Sequence, residues 1–231
     1  GISQISARSL LTAFTCIFRQ MPFKPVLLVL LAWLMTLNMV NAQPHTASSL
    51  FDEMDELVYQ VRVIDIASDD KTAIGSGFRA DSSGNIATNF HVISLAAHEP
   101  EKYRITLLAH DGSEFEATIV KADVLHELAI LETKSIDTNF SPLARKEPTK
   151  GQRVFSIGNP VDLGMSIVEG NFNGLLKTSR FKRLLFSGSL NPGMSGGPAF
   201  NEVGELIGVN VATGGEQISF LVPAEKLRLL L

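Results

Sequence analysis

The chain has 231 residues, 45% of them hydrophobic, with 18 Gly, 10 Pro and a formal net charge of −4. With no basic tail and no aromatic–basic interleaving, this composition argues against a nucleic-acid partner. The single cysteine, Cys16, excludes a disulfide within the chain, and the length suits one β-rich domain or two small barrels sharing a cleft.

Residues 1–42 differ from the rest: they hold Arg8, Arg19 and Lys24 and no acid. Met21-Pro22-Phe23-Lys24 precedes the apolar run 26–40, and Val40-Asn41-Ala42 closes it. A short basic start, an apolar core and a small final residue describe an export signal over 21–42. Cleavage after Ala42 gives a periplasmic or secreted protein beginning at Gln43. The alternative is an uncleaved inner-membrane anchor facing the periplasm, although a membrane span needs about 20 apolar residues. Residues 1–20 precede Met21 and read as an upstream extension, not as fold.

Thr46 to Gln60 places Leu50, Phe51, Met54, Leu57 and Val58 at spacings of three and four. That predicts a short amphipathic helix with Ser48 or Ser49 as N-cap. Asp52, Glu53, Asp55 and Glu56 are expected near its N-terminus, on a solvated face. From Val61 the period becomes two, which predicts a strand over 61–66 with both faces partly buried. A turn at Ser68–Lys71 leads to a strand over 74–80. A hairpin turn at Asp81–Asn85 then leads to a strand over 86–89. Phe90-His91-Val92-Ile93 reads as a short helical turn. His98 and His110 sit in polar turns, where a solvated histidine is the default, and only His91 ends an apolar strand. Strands over 103–109 and 115–120 pair across Asp111-Gly112. Asp123 reads as a turn cap, and a buried strand follows Glu127 at Leu128–Leu131.

Residues 138–151, with Pro142, Pro148 and several charges, read as a linker between halves. Strands resume at 153–157, 166–176, 181–186, 206–211 and 218–222, and a helix begins with Pro223 at its first position. Many short strands, turns every 8–12 residues and a central linker predict an all-β fold of two six-stranded antiparallel barrels with short flanking helices. The first barrel covers about 58–137 and the second about 152–222.

Asn191-Pro192-Gly193-Met194-Ser195-Gly196-Gly197-Pro198 sets one serine between glycines, ahead of a short apolar strand. Such a bend can aim the backbone N–H groups of Gly193 and Ser195 into one small hole able to hold an oxyanion. No His pair stands at ligand spacing, so the sequence predicts no metal and no cofactor.

With His91, an acid near 127 and Ser195 in that order, the chain resembles the chymotrypsin-like (trypsin-like) serine proteases, most closely the bacterial HtrA (Deg) branch. The matching words are Gly75-Ser76-Gly77-Phe78, Thr88-Asn89-Phe90-His91-Val92-Ile93, Glu127-Leu128-Ala129-Ile130-Leu131, Ile157-Gly158-Asn159-Pro160 and the 191–198 octet. Gly204–Asn210 and Ile218–Pro223 also fit. The resemblance implies Ser195 as nucleophile, His91 as general base, Glu127 as the orienting acid and an oxyanion hole along Gly193-Met194-Ser195. The family usually has Asp where Glu127 stands, and Asp123 is the other acid within reach. The family often has Asn where Met194 stands, and usually a PDZ domain after the protease. Only eight residues follow Pro223 here, so the expectation is either a form without PDZ or part of a longer protein.

The implied function is an exported endopeptidase acting on unfolded or damaged envelope proteins. Its implied partners are polypeptides, with a homotrimer by family analogy. The alternative is a catalytically impaired barrel protein that binds peptides. Ser189, six residues before Ser195, with Val211 and Ala212, predicts a small or medium apolar pocket, whereas Glu216 would favour a basic side chain.

Overall fold

The computed structural model describes residues 44–134, 139–176, 180–215 and 218–231, with the backbone alone described over 212–215. The expected leader over 1–42, Glu216 and residues 138 and 177–179 lie outside the described residues. Among the described residues no helix is long and apolar enough to cross a membrane.

The chain forms the two closed six-stranded antiparallel barrels that its strand spacing predicts. The first holds β1 (Val58–Asp65), β2 (Lys71–Arg79), β3 (Ile86–Thr88), β4 (Tyr103–Leu108), β5 (Glu114–Asp123) and β6 (Leu128–Thr133). The second holds β7 (Arg153–Gly158), β8 (Ser166–Leu175), β9 (Leu184–Phe186), β10 (Pro198–Phe200), β11 (Leu206–Gly215) and β12 (Ile218–Pro223). Among the described residues three short α-helices flank them: α1 (Ala47–Met54), α2 (Phe90–His98) and α3 (Ala224–Leu230).

The period of two sorts the core. On β1, Tyr59, Val61 and Val63 join the interior of the first barrel, while Val58 faces a second cluster. On β6, Ala129 and Leu131 point inward and Leu128 and Ile130 outward to that same cluster. Phe155, Ile157, Phe200 and Val222 of the second barrel meet them there, with Leu50 and Met54 of α1. Strands along this seam are thus buried on both faces, because closing two barrels against each other leaves neither face to water. Phe155 is fully buried at the seam. Phe155→Ala should therefore cost about 3–5 kcal/mol, read as a lower midpoint in urea unfolding.

The termini of the helices depart from expectation. The N-cap of α1 is Thr46, not Ser48 or Ser49. Its hydroxyl accepts from Ser49 N–H while the Ser49 hydroxyl accepts from Thr46 N–H, a reciprocal capping box. The helix stops at Met54, a 3-10 turn covers Asp55–Leu57, and β1 begins at Val58, three residues earlier than the alternation indicated. The first turn of α1 holds no acid. Asp55 is half-buried, its Oδ1 has no hydrogen-bond partner among the described residues, and burial pushes its carboxyl above the usual range. It does not belong to a solvated face. Pro223 caps α3 from outside instead of opening it.

Candidate active site

His91 stands in the first turn of α2, which follows the end of β3. Glu127 closes the four-residue turn between Asp123 and Leu128, whose backbones pair as the last rung of β5 and β6. Its φ is +64°, a left-handed value uncommon outside glycine. Two donors hold the strained peptide: Asn89 Nδ2 at 2.9 Å and Phe90 N–H at 3.3 Å, both to the Glu127 carbonyl.

That backbone posture delivers the carboxylate to His91. Glu127 Oε2 lies 2.9 Å from His91 Nδ1 and accepts His91 N–H at 3.3 Å. An ionised carboxylate only accepts, so the pair fixes the proton on Nδ1 and leaves Nε2 with its lone pair. The same carboxylate sits at the N-terminus of α2, where the helix dipole favours a negative charge.

Asp123 is occupied elsewhere. Its Oδ1 accepts His126 N–H at 3.0 Å and its Oδ2 lies 2.6 Å from His126 Nδ1. Burial pushes its carboxyl up, but the bonds to His126 outweigh that and leave it below the usual range. The structure therefore brings Glu127, and not Asp123, to His91. Arg183, a buried cation, lies near both acids; burial lowers its guanidinium from its ordinary value while Glu127 and Asp123 pull the other way.

Ser195 lies on a tight turn ahead of β10. Gly193 and Gly196 have φ of +94° and +85°. A Cβ on Gly196 would lie 2.2 Å from the Ser76 carbonyl, so a side chain there would collide with β2 backbone. The turn is held from both barrels. From the first, Ser76 N–H donates to Ser195 C=O at 2.7 Å and Ser76 Oγ donates to Gly193 C=O at 2.7 Å. From the second, Gly196 N–H donates to Asn210 C=O, and Asn210 Nδ2 donates to the carbonyls of Met194 and Ile157. Ser156 Oγ in turn donates to Asn210 Oδ1 at 2.8 Å.

The carbonyls of residues 193, 194 and 195 all point into protein. Met194 N–H is taken by Asn191 C=O at 3.1 Å, and the Met194 side chain is fully buried in the second barrel. Among the described residues, nothing accepts the N–H groups of Gly193 and Ser195. These are the two donors an oxyanion would meet. The Ser195 hydroxyl donates to Val211 C=O at 3.0 Å.

Of the expected pocket residues, Ser189 is exposed and Val211 is half-buried beside Ser195. Ala212 pairs its backbone with Phe220, and its side chain lies outside the described residues. Sequence reasoning missed Ser76 and Asn210 as supports. Their signal was a small polar residue inside an apolar strand, where burial demands partners: both are fully buried.

Known proteins resemble this chain in sequence and fold. Residues 75–209, a span including His91, Glu127 and Ser195, match the family model of the trypsin-like peptidase domain. Serine endoprotease DegS of Escherichia coli K12 is 38% identical over 146 residues, which cover 59% of this chain and 39% of DegS. A probable periplasmic serine endoprotease, DegP-like, of Halomonas elongata is 33% identical over 168 residues, covering 68% of this chain and 34% of the relative. The crystal structure of the serine endoprotease from Yersinia pestis superposes with a TM-score of 0.69 at 28% identity, covering 80% of this chain and 65% of that one. The chain thus spans under half the length of these curated relatives. With the family model matched over more than half of its length, on a fold of two closed barrels, the chain belongs to the trypsin-like peptidase domain family and is similar to the Deg proteases.

Proposed function

We propose that the chain is an exported serine endopeptidase in which Ser195, His91 and Glu127 form the triad and the amides of Gly193 and Ser195 form the oxyanion hole. The observation that carries this reading is the 2.9 Å contact between His91 Nδ1 and Glu127 Oε2, which prepares Nε2 to take a proton. Ser195 Oγ attacks the scissile carbonyl and its proton passes to His91 Nε2. The carbonyl π electrons move onto oxygen, which the two amides receive. The imidazolium, stabilised by Glu127, returns the proton to the departing amine as the C–N bond breaks. Water then repeats the sequence on the acyl-enzyme, releasing the acid and restoring Ser195. Before attack, the Ser195 hydroxyl must turn from Val211 C=O to His91; catalytic hydrogen bonds often tighten only when substrate arrives.

Unfolded or damaged envelope proteins are the proposed substrates, residues 21–42 the proposed export signal and a homotrimer the proposed assembly. Two relatives bear on location and class: the Halomonas relative is named as periplasmic and DegS as a serine endoprotease. A small or medium apolar side chain before the cut bond follows from the Ser189, Val211 and Ala212 assignment.

One observation favours the other reading, a peptide-binding barrel without turnover: the Ser195 hydroxyl is committed to Val211 C=O, not to His91. A fluorophosphonate separates the two, since it reacts only with an activated serine. The parent protein should be labelled and should degrade casein, and Ser195→Ala should do neither. A folded parent that takes no label supports the binding reading and ends the catalytic one.

A further inference from the structure

Val161 and Asp162 both hold left-handed backbone, with φ of +44° and +61°. Neither is glycine, and Val161 is β-branched, for which such a value is a genuine outlier. Conformations of this kind persist only where the surroundings over-determine them.

The ends of the turn are tied by Asn159 N–H donating to Ser76 Oγ and Gly164 N–H donating to Asn159 Oδ1, and three further contacts hold its strained centre. The Asp162 carboxylate accepts from Lys71 Nζ on β2 at 2.5 Å and from Gln60 Nε2 on β1. Gln60 is itself buried and accepts from Arg62 Nε, so it is not free to swing away. One residue before Asp162, Val161 N–H donates to Pro192 C=O at 2.7 Å. The Pro192–Gly193 peptide is planar and trans, so Gly193 N–H points opposite to Pro192 C=O. Whatever fixes that carbonyl also fixes the aim of that N–H.

We propose that Asp162 is a positioning residue for catalysis: it straps the 159–164 turn to the first barrel, so that Val161 N–H holds the Pro192–Gly193 peptide with Gly193 N–H aimed at the oxyanion. This rests on the reading of Gly193 as an oxyanion donor. The strap spans the barrels, with Lys71 and Gln60 in the first and Pro192 and Gly193 in the second. It therefore links the orientation of the hole to the seating of one barrel on the other. The hydrogen bonds from Lys71 and Gln60 hold the Asp162 carboxyl below its usual range, so the strap stays charged to lower pH than a free aspartate would. Lys71 and Asp162 are both more than a third exposed, and such a pair adds little to overall stability. Its effect belongs in kcat.

The test is peptide hydrolysis by the full chain carrying Asp162→Gly, Asp162→Asn, Lys71→Ala or the Gly and Ala changes together. Glycine accepts the left-handed backbone without strain, so Asp162→Gly removes the carboxylate and leaves the turn permitted. It should lower kcat about tenfold, a fraction of what loss of an oxyanion donor costs, with KM within about twofold. Asn keeps an acceptor oxygen and should restore most of kcat. Lys71→Ala should lower kcat several-fold, and the double variant should be no slower than Asp162→Gly alone, because both changes cut one strap. With an active parent, an unchanged kcat in Asp162→Gly, or fully additive losses in the double variant, overturns the strap alone. A parent that neither hydrolyses peptide nor takes a fluorophosphonate overturns the serine reading and the strap with it.

Discussion

Glu127→Gln is expected to lower kcat for peptide hydrolysis by about 10⁴-fold with little change in KM. The reason is the identity of the proton on His91. Glu127 Oε2 accepts from both Nδ1 and the backbone N–H of His91. An amide in its place can turn its NH2 toward Nδ1, which stabilises the tautomer protonated on Nε2. That tautomer cannot accept the Ser195 proton. The amide also carries no charge to stabilise the imidazolium once it forms. Glu127→Asp keeps the charge but withdraws the oxygens by one methylene, about 1.5 Å. It should lose on the order of 100-fold and stay measurable. Asp123→Asn is the control. Asp123 caps its own turn through His126, so this change should trim stability by about 1 kcal/mol and leave turnover within about threefold. A Glu127→Gln protein as active as the parent, or an inactive Asp123→Asn, would transfer the role away from Glu127.

What could be read from the sequence divides along contact range. Strands announce themselves locally, through alternation and turn residues, and both barrels follow from them. His91 and Ser195 were visible as residue types in a recognisable order, but Glu127 as the orienting acid came from the family resemblance alone, with Asp123 as the other candidate. The start of β1 was misjudged because Leu57 and Val58 satisfy a helical period as well as a strand period. The structure decides by burying Val58 against Leu128 and Phe155 at the seam, a choice made more than 60 residues away in sequence. Thr46 was missed as the N-cap because Thr46, Ser48 and Ser49 all suit that place, and only the reciprocal bond with Ser49 selects among them.

The partners of Ser76 and Asn210, which support the nucleophile turn, were hidden for the same reason. Ser76 reaches Gly193 across 117 positions and Asn210 reaches Ile157 across 53. Each lay inside a recognised word, yet nothing local tells a buried hydroxyl which distant carbonyl it will meet. Val161 is the extreme case, because a β-branched residue gives no sign that its backbone will be left-handed. Strain of that kind is imposed by tertiary contacts and leaves no composition signal.

Gly193→Ala is expected to reduce kcat by about 10²- to 10³-fold, the range for loss of one oxyanion donor. A methyl group on Gly193 would sit 2.2 Å from Asn159 C=O and 3.2 Å from Val161 N. Both are backbone atoms, so no side-chain rotation relieves the overlap. Asn159 cannot simply retreat, because its N–H donates to Ser76 Oγ at 3.0 Å and its side-chain Oδ1 accepts Gly164 N–H at 3.1 Å. The cheaper response is rotation of the Pro192–Gly193 peptide, which an alanine also prefers because φ is +94° here. That rotation breaks the Val161 N–H bond to Pro192 C=O and swings Gly193 N–H out of the hole. Ser195 N–H then faces the oxyanion alone. Strain and the lost bond should together cost about 1–3 kcal/mol of stability, seen as a drop of several degrees in Tm. The fluorophosphonate reaction places a developing phosphoryl oxygen in the same hole, so labelling should slow alongside hydrolysis, while Phe155→Ala, which leaves the hole alone, should slow neither in proportion. A Gly193→Ala protein that turns over peptide within about threefold of the parent would mean that the oxyanion is held by donors other than Gly193.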